Sequence, residues 1–433
     1  MKPVKAIFDI GKTNKKFLLF DNNYKVVFEK EKNFNEAEDD DGFACENIKA
    51  LKEWITTSLR KIISDSDYHI SQLNFSTYGA TLVYLDEKGN RVAPIYNYLK
   101  PVDKSYFDEF YEKYEGEEEF CRKTASPPLG MLNSSLQIYW LQNEKPEYWD
   151  KTKYILHFPQ YLSYLFTREI VSEYTSIGCH TGMWNFDKMK YHSWLKEEGI
   201  KLPKPIGNRE SFKVEIGGQK IDVGIGIHDS SASLVPFFEA ADEPFILISS
   251  GTWAINLNPF NDNNLTTEQL QNDCLCYLSV NQKQVMASRL FLGHIHEVNT
   301  KLLSQHFNKP EDRYKNIESD GKRIDKIFES SKLIFFKQGI PENYKLDQSK
   351  LDEFQNYRHA YHQLMFELCY FEVEQIKRIM QSNRNIQKLF IAGGFVHNKL
   401  FTDYLHRFFP DMEIETSELK NSTALGAAMV LDM

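Results

Sequence analysis

The 433-residue chain carries 52 Lys and Arg against 61 Asp and Glu, a formal net charge of −9 that argues against a basic nucleic-acid-binding surface. No apolar run approaches the roughly 20 residues of a membrane-spanning helix, no signal-peptide pattern opens the sequence, and six cysteines in this length make no disulfide framework. The expectation is a cytoplasmic protein with two domains of about 200 residues each, both large enough to bury substantial cores.

In chain order, residues 6–21 read as a β-hairpin, two apolar runs around the polar turn Gly11-Lys12-Thr13-Asn14. Asp9 stands at the end of its first strand. The turn region offers a hydroxyl, an amide and three lysines, groups suited to Mg²⁺-bound phosphates, although a turn-capping aspartate and solvated lysines are the plain alternative. Residues 48–63 have the spacing of an amphipathic helix with Leu51, Ile55 and Leu59 on one stripe. Residues 73–86 are strand-like around Thr77-Tyr78-Gly79, residues 87–90 form a turn, and residues 92–99 are a further apolar run. Helical patterns follow at 136–143, and residues 210–223 carry a Gly217-Gly218 turn.

That last run leads to Gly226-Ile227-His228-Asp229, a lone carboxylate among small residues, and then to a helical stretch at 230–241. A carboxylate there suits proton abstraction from an alcohol. Twenty residues on, Ser249-Ser250-Gly251-Thr252-Trp253 follows an apolar strand; glycine admits close backbone approach, and the turn's N–H groups and hydroxyls suit an anion. Cys274 and Cys276 are expected on one strand face. Residues 357–382 read as a long helix feeding the strand 389–392, which ends in Gly393-Gly394 and Asn398 before another helix at 400–409. Each half opens with an apolar run and a glycine-containing turn, a faint sign of a duplicated α/β unit.

The order of these segments resembles the FGGY carbohydrate kinase family, over essentially the whole chain. Asp9-Ile10-Gly11 matches the family's phosphate and metal hairpin, and Gly226 to Asp229 its catalytic-base segment. Ser249 to Trp253 matches the second phosphate motif. Ala392-Gly393-Gly394 through Asn398, continuing into Ser422-Thr423-Ala424-Leu425-Gly426-Ala427-Ala428, matches the adenosine motif. The resemblance implies a two-lobed α/β fold of the actin/hexokinase/Hsp70 type, ribonuclease H-like, with residues 1–235 as the N-terminal lobe, 236–433 as the C-terminal lobe and the active site between them.

It also implies the chemistry: ATP and Mg²⁺ as cofactors, a small sugar as substrate, and neither nucleic acid nor membrane as partner. Asp229 would be the general base and Asp9 the metal-binding residue. The nucleotide would meet Gly11, Thr13, Asn14 and Lys16 on one side, and Gly251, Thr252, Gly393, Gly394 and Asn398 on the other. Thr77, Tyr78, Gly79, Asn97, Tyr98 and His228 would surround the sugar with Asp229. The wording of the Asp229 and Gly251 segments is closest to the branch acting on C1 of 6-deoxy-ketohexoses, L-fuculose or L-rhamnulose. Two segments depart from the family pattern: Ser76-Thr77-Tyr78-Gly79 and Ile95-Tyr96-Asn97-Tyr98-Leu99 lack the usual sugar-gripping Asp and Arg. That leaves open another ketose or polyol, such as xylulose or ribulose, and a non-catalytic nucleotide- or sugar-binding protein. Monomer and homodimer are both compatible with the resemblance.

Overall fold

The computed structural model describes residues 2–65, 67–380 and 385–433. Strand β1 (Lys2–Ile10) pairs antiparallel with β2 (Lys15–Phe20), placing Asp9 opposite Lys16 and closing the expected hairpin through the Gly11 to Asn14 turn. Strand β3 (Val26–Lys32) extends this meander. A parallel neighbour needs a crossover, and α1 (Ile48–Asp65) supplies it, burying Leu51, Ile55 and Leu59 under the sheet. It leads to β4 (Tyr68–Thr77), parallel to β1. Much later, β5 (Ser211–Ile216) and β6 (Gln219–Gly224) form a second hairpin across Gly217 and Gly218, both at positive φ (58° and 81°). The sheet order is β5-β6-β4-β1-β2-β3, with the short β7 (Ile227–His228) alongside the end of β4. Between β4 and β5 lies a largely helical segment with a core around Phe110, Phe120, Trp140 and Trp194. Residues 92–99 form no strand; Ile95, Tyr96 and Asn97 are nonetheless buried.

The second sheet repeats the plan. Strand β8 (Phe245–Ser250) turns antiparallel into β9 (Ala254–Asn258), while β10 (Cys274–Leu278) and β11 (Gln284–Leu290) complete the antiparallel half. Helices α3 (Leu292–His306) and α4 (Tyr357–Met380) pack beside it; the last two residues of the helix expected at 357–382 lie outside the described residues. Strand β12 (Lys388–Gly393) then lies parallel to β8, and β13 (Glu413–Ser417) parallel to β12, in the order β10-β11-β9-β8-β12-β13. Cys274 and Cys276 share one buried strand, and all six cysteines are buried and free.

Two helices join the lobes. Helix α2 (Asp229–Ala240) spans the lobe boundary drawn at residue 235, and α6 (Ser422–Met429) packs across it and against the first sheet's β1 and β4. A Cβ on Gly426 would sit 1.9 Å from the Ala232 carbonyl oxygen, so glycine permits this close crossing. Around it, Ile7, Leu18, Ala232, Val235, Ala424 and Ala427 make a common interlobe core. No helix of the described residues is long and apolar enough to cross a membrane.

Candidate active site

Asp229 is the first residue of α2, directly after β7, because β7 runs beside the end of β4 and the chain turns into the helix there. Gly226 makes that approach possible: its φ is 83°, and a Cβ would lie 2.5 Å from the Pro159 carbonyl oxygen. Asn74 fixes the turn by accepting from the Gly226 N–H (3.1 Å) while donating to the Ala427 carbonyl of α6 (2.9 Å). The Asp229 Oδ1 accepts from the Ser230 N–H (2.6 Å) and hydroxyl (3.2 Å), and lies 3.3 Å from His228 Nε2. Burial pushes its carboxyl up to about 6, against the lowering effect of those Ser230 hydrogen bonds.

Asp9 lies on β1, on the other side of β4 from β7. Its Oδ2 accepts from the Thr423 hydroxyl (2.7 Å) near the start of α6, so lobe I's acid is held by a residue from the end of the chain. Burial raises its pKa to about 6; Thr423 and Lys16 oppose the shift and the charge of Asp229 adds to it. Two carboxylates that repel in a desolvated cleft form an environment a divalent cation relieves, and the donor chemistry fits Mg²⁺.

Two glycine turns end the first strands of the two sheets, one directly after Asp9 and the other after β8. In the first, the Gly11 N–H donates to the Asn14 carbonyl (3.0 Å), and Thr13 and Asn14 are exposed. Lys16 reaches Asn421 Oδ1 (2.8 Å) and Glu29 (3.6 Å). In the second, the Gly251 N–H donates to the Trp253 carbonyl (2.8 Å), and Thr252 is exposed with its carbonyl accepting from the Gly293 N–H (3.1 Å). Ser250 is not free for an anion: its hydroxyl donates to the Ala392 carbonyl (2.6 Å) and accepts from the Phe395 N–H (3.0 Å). Gly393 has φ 85°, with a Cβ position 1.9 Å from the Ser250 carbonyl oxygen.

Beside the second turn is a cavity of about 610 Å³ lined by Gly251, Tyr314, Gly394, Phe395 and Asn398, with His296 at its wall. Its size and its mixture of apolar walls and glycine backbone fit a nucleotide. Asn398 serves it indirectly, since its amide donates to the Tyr361 hydroxyl (2.9 Å) and its oxygen caps helix α5 (Lys399–Phe408). No motif marks Tyr314 and His296 as cavity residues: His296 on α3 and Tyr314 on the short helix Arg313–Asn316 meet edge-on at 4.9 Å and come together beside Gly394 only through packing.

Of the expected sugar-side residues, Gly79, Tyr98 and His228 are drawn towards Asp229, and three others are committed elsewhere. The Thr77 hydroxyl donates to the Tyr78 carbonyl (2.8 Å); the Tyr78 hydroxyl donates to Glu46 (2.9 Å) from a buried ring; Asn97 Oδ1 accepts from the Leu99 N–H (3.0 Å). Tyr98 is half-buried against Tyr78, with the Lys12 ammonium 5.9 Å from both ring centres and paired with Glu36 (2.8 Å). His228 is buried and neutral, its pKa pushed down to about 4 by desolvation, and its Nε2 is 3.0 Å from where a Cβ on Gly79 would be.

Residues 4–201 match the N-terminal domain of the FGGY family of carbohydrate kinases, and residues 242–433 match the carbohydrate kinase FGGY C-terminal domain. The chain belongs to the FGGY family of carbohydrate kinases. Enzymes of this family use ATP with Mg²⁺. Among curated proteins the chain is similar to rhamnulokinases from Halalkalibacterium halodurans (25% identical over 57% of this chain and 54% of that one) and Oceanobacillus iheyensis (24%, over 59% and 56%). It thus spans about half the length of the curated relatives it matches. In fold it is similar to a carbohydrate kinase from Novosphingobium aromaticivorans (TM-score 0.80, 19% identity, 99% of this chain and 93% of that one). It is likewise similar to a ligand-bound xylulose kinase from Lactobacillus acidophilus (TM-score 0.77, 16% identity, 99% and 89%). The FGGY fold is accordingly the mixed α/β, two-domain arrangement of the actin/hexokinase type, as the sequence motifs implied.

Proposed function

We propose that this FGGY protein transfers the γ-phosphoryl group of ATP to a hydroxyl of a small sugar, with Asp229 as the general base. The observation that carries the reading is the Asp229 carboxylate itself: desolvated, accepting hydrogen bonds from Ser230, 3.3 Å from His228 Nε2, and within electrostatic reach of Asp9. A base with a pKa just below neutrality is ionised at pH 7 and still has appreciable proton affinity.

Phosphoryl transfer depends mainly on position and on charge neutralisation. In this reading the adenosine occupies the cavity by Gly394 and Tyr314, and the phosphates run between the Gly11 and Gly251 turns. Asp9 would hold Mg²⁺, which when bound supplies charge neutralisation at the phosphates. Asp229 orients the attacking hydroxyl and takes its proton; Thr423 and Asn74 keep the two acids registered with α6. Residues 1–235 and 236–433 act as the two lobes, with α2 as the continuous link.

For the acceptor, the rhamnulokinase relatives and the wording around Asp229 favour C1 of a 6-deoxy-ketohexose, L-rhamnulose or L-fuculose. The likeness to a xylulose kinase is one of fold and does not bear on the sugar. The test is ADP release with Mg·ATP across free ketoses and polyols. Strong stimulation by L-rhamnulose or L-fuculose supports the full reading; stimulation by another ketose alone keeps the kinase and moves the substrate. ATP binding with no sugar-dependent turnover would overturn it.

A further inference from the structure

Two side chains packed in line with His228, Tyr277 and then His180, have chemistry that phosphoryl transfer as described leaves unused. His180 follows a short helix (Tyr174–Ile177) with φ at 53°, the left-handed region that a histidine enters at a cost. This conformation sets its ring edge-on to Tyr277 in lobe II, at 5.4 Å and 88°, with Nε2 3.3 Å from the Tyr277 hydroxyl. The other ring nitrogen, Nδ1, is shielded from solvent and has no hydrogen-bond partner among the described residues. Buried polar atoms in native proteins are nearly always paired, and this nitrogen, linked to Asp229 through Tyr277 and His228, is open to a partner from outside.

The pair is continuous with the base. Tyr277 lies nearly parallel to the His228 ring, 6.2 Å away at 23°, and His228 Nε2 contacts Asp229 at 3.3 Å. The charges of Arg289 and Asp229 both act on the Tyr277 hydroxyl. The backbone is shaped to permit this: a Cβ on Gly178 would meet Leu278 at 2.4 Å, so glycine lets the His180 segment approach β10. Nearby cations are already spoken for, Arg289 by Asp273 (3.0 and 2.8 Å) and Lys12 by Glu36 (2.8 Å).

We propose that His180 and Tyr277 together form the specificity-determining grip on the acceptor sugar, reading a pair of hydroxyls on an uncharged substrate. This inference rests on the kinase reading above. Its chemistry is independent of which imidazole tautomer is present. If the Tyr277 hydroxyl donates to Nε2, then Nδ1–H is a free donor and the phenol oxygen a free acceptor. If Nε2–H donates to the phenol, Nδ1 accepts and the phenol donates. Either way the pair offers one donor and one acceptor, the complement of two neighbouring hydroxyls. It takes the place of the Asp and Arg that the Ser76 and Ile95 segments lack. A floor of neutral rings, with its cations paired, favours a ketose or polyol over a sugar acid. Because Tyr277 comes from lobe II and His180 from lobe I, the sugar would bridge both.

The test is steady-state kinetics of the full chain and of Tyr277→Phe and His180→Ala, using the best ketose from the panel and gluconate as the charged comparison. Losing one hydrogen bond to a substrate hydroxyl is expected to raise the sugar KM roughly 10- to 100-fold in each variant. The ATP KM should stay within about twofold, since neither side chain faces the nucleotide cavity. An unchanged sugar KM in both variants overturns the inference and leaves the kinase intact. So does a parallel rise in both KM values with a lowered thermal midpoint, the mark of a merely structural role. Preference of the wild type for gluconate over every ketose overturns the neutral-substrate part. A wild type that phosphorylates no sugar fails at the earlier reading and takes this inference with it.

Discussion

In the first lobe the strands run β3-β2-β1-β4-β6, and in the second β11-β9-β8-β12-β13: an antiparallel three-strand meander followed by two parallel strands in both. The first turn of each meander starts with glycine, but its length differs by one residue: Ile10 pairs with Lys15 across four residues in one lobe, and Ser250 with Ala254 across three in the other. Each lobe's last parallel strand feeds a helix, α2 from the first and α6 from the second, and these meet at Ala232 and Gly426. What differs is the residue at equivalent places. Where the first lobe has Asp9, one before the strand's end, the second has Ser249; where α2 opens with Asp229, α6 opens with Ser422 and Thr423. The scaffold supplies two glycine turns and two crossing helices, and in the proposed mechanism the acids placed on one copy make it the reacting side. The other copy supplies glycine backbone, an aromatic-walled cavity and the hydroxyl that holds Asp9.

The comparison can be broken by exchanging charge at the equivalent strand ends. Asp9→Asn should lower kcat by roughly 10²-fold or more and raise the Mg²⁺ concentration for half-maximal rate about tenfold, while Ser249→Ala should change kcat by less than about threefold. A magnesium titration of the rates checks both; similar losses in the two variants would show that the lobes share the work evenly.

At the helix crossing, Gly426→Ala forces a methyl against the Ala232 carbonyl oxygen, 1.9 Å from the new Cβ. It should cost ~2–3 kcal/mol of unfolding free energy by urea titration. Gly321 at the start of its helix has open space around it, and Gly321→Ala should instead stabilise by ~0.4–1 kcal/mol.

The acids also make lobe I's chemistry visible in stability. Asp9 and Asp229 have folded pKa values raised from 3.8 to about 6, so between those values the folded state holds protons that the unfolded state has released. Their contribution therefore weakens as pH rises from about 4 to 6 and stays unfavourable above it. Asp229→Asn should be more stable than wild type by ~1–3 kcal/mol at pH 7.5 and lose that advantage near pH 4. Thermal melts across that range read the difference.

The parts of this plan that were legible in the sequence are those set by neighbours in the chain. The hairpin around Gly11 and the Gly217-Gly218 turn follow from local turn chemistry, and Leu51, Ile55 and Leu59 from helical spacing. Asp229 stood out because small residues isolate it. The same locality hides the bonds that other side chains make in the fold. Thr77 ends a strand buried on both faces and Tyr78 follows it, where alternation gives no hint that one hydroxyl turns to the adjacent backbone and the other reaches Glu46. Asn398, in the glycine motif, both lines the cavity and caps the following helix, and only the second role follows from its position in the chain. His180 and Tyr277 are 97 residues apart, joined only by lobe packing and by a backbone conformation that histidine seldom signals. The Thr423 to Asp9 bond spans 414 residues, beyond any local pattern.

The most direct measurement of the central claim is kcat/KM for the preferred sugar from pH 5 to 8, in wild type and Asp229→Asn. With Asp229 as base, the wild-type rate should fall as pH drops through about 6. The variant should lose roughly 10²–10⁴ in rate and that ionisation with it, while still binding ATP. A variant that turns over sugar within about tenfold of wild type, with the same acid limb, would contradict the account.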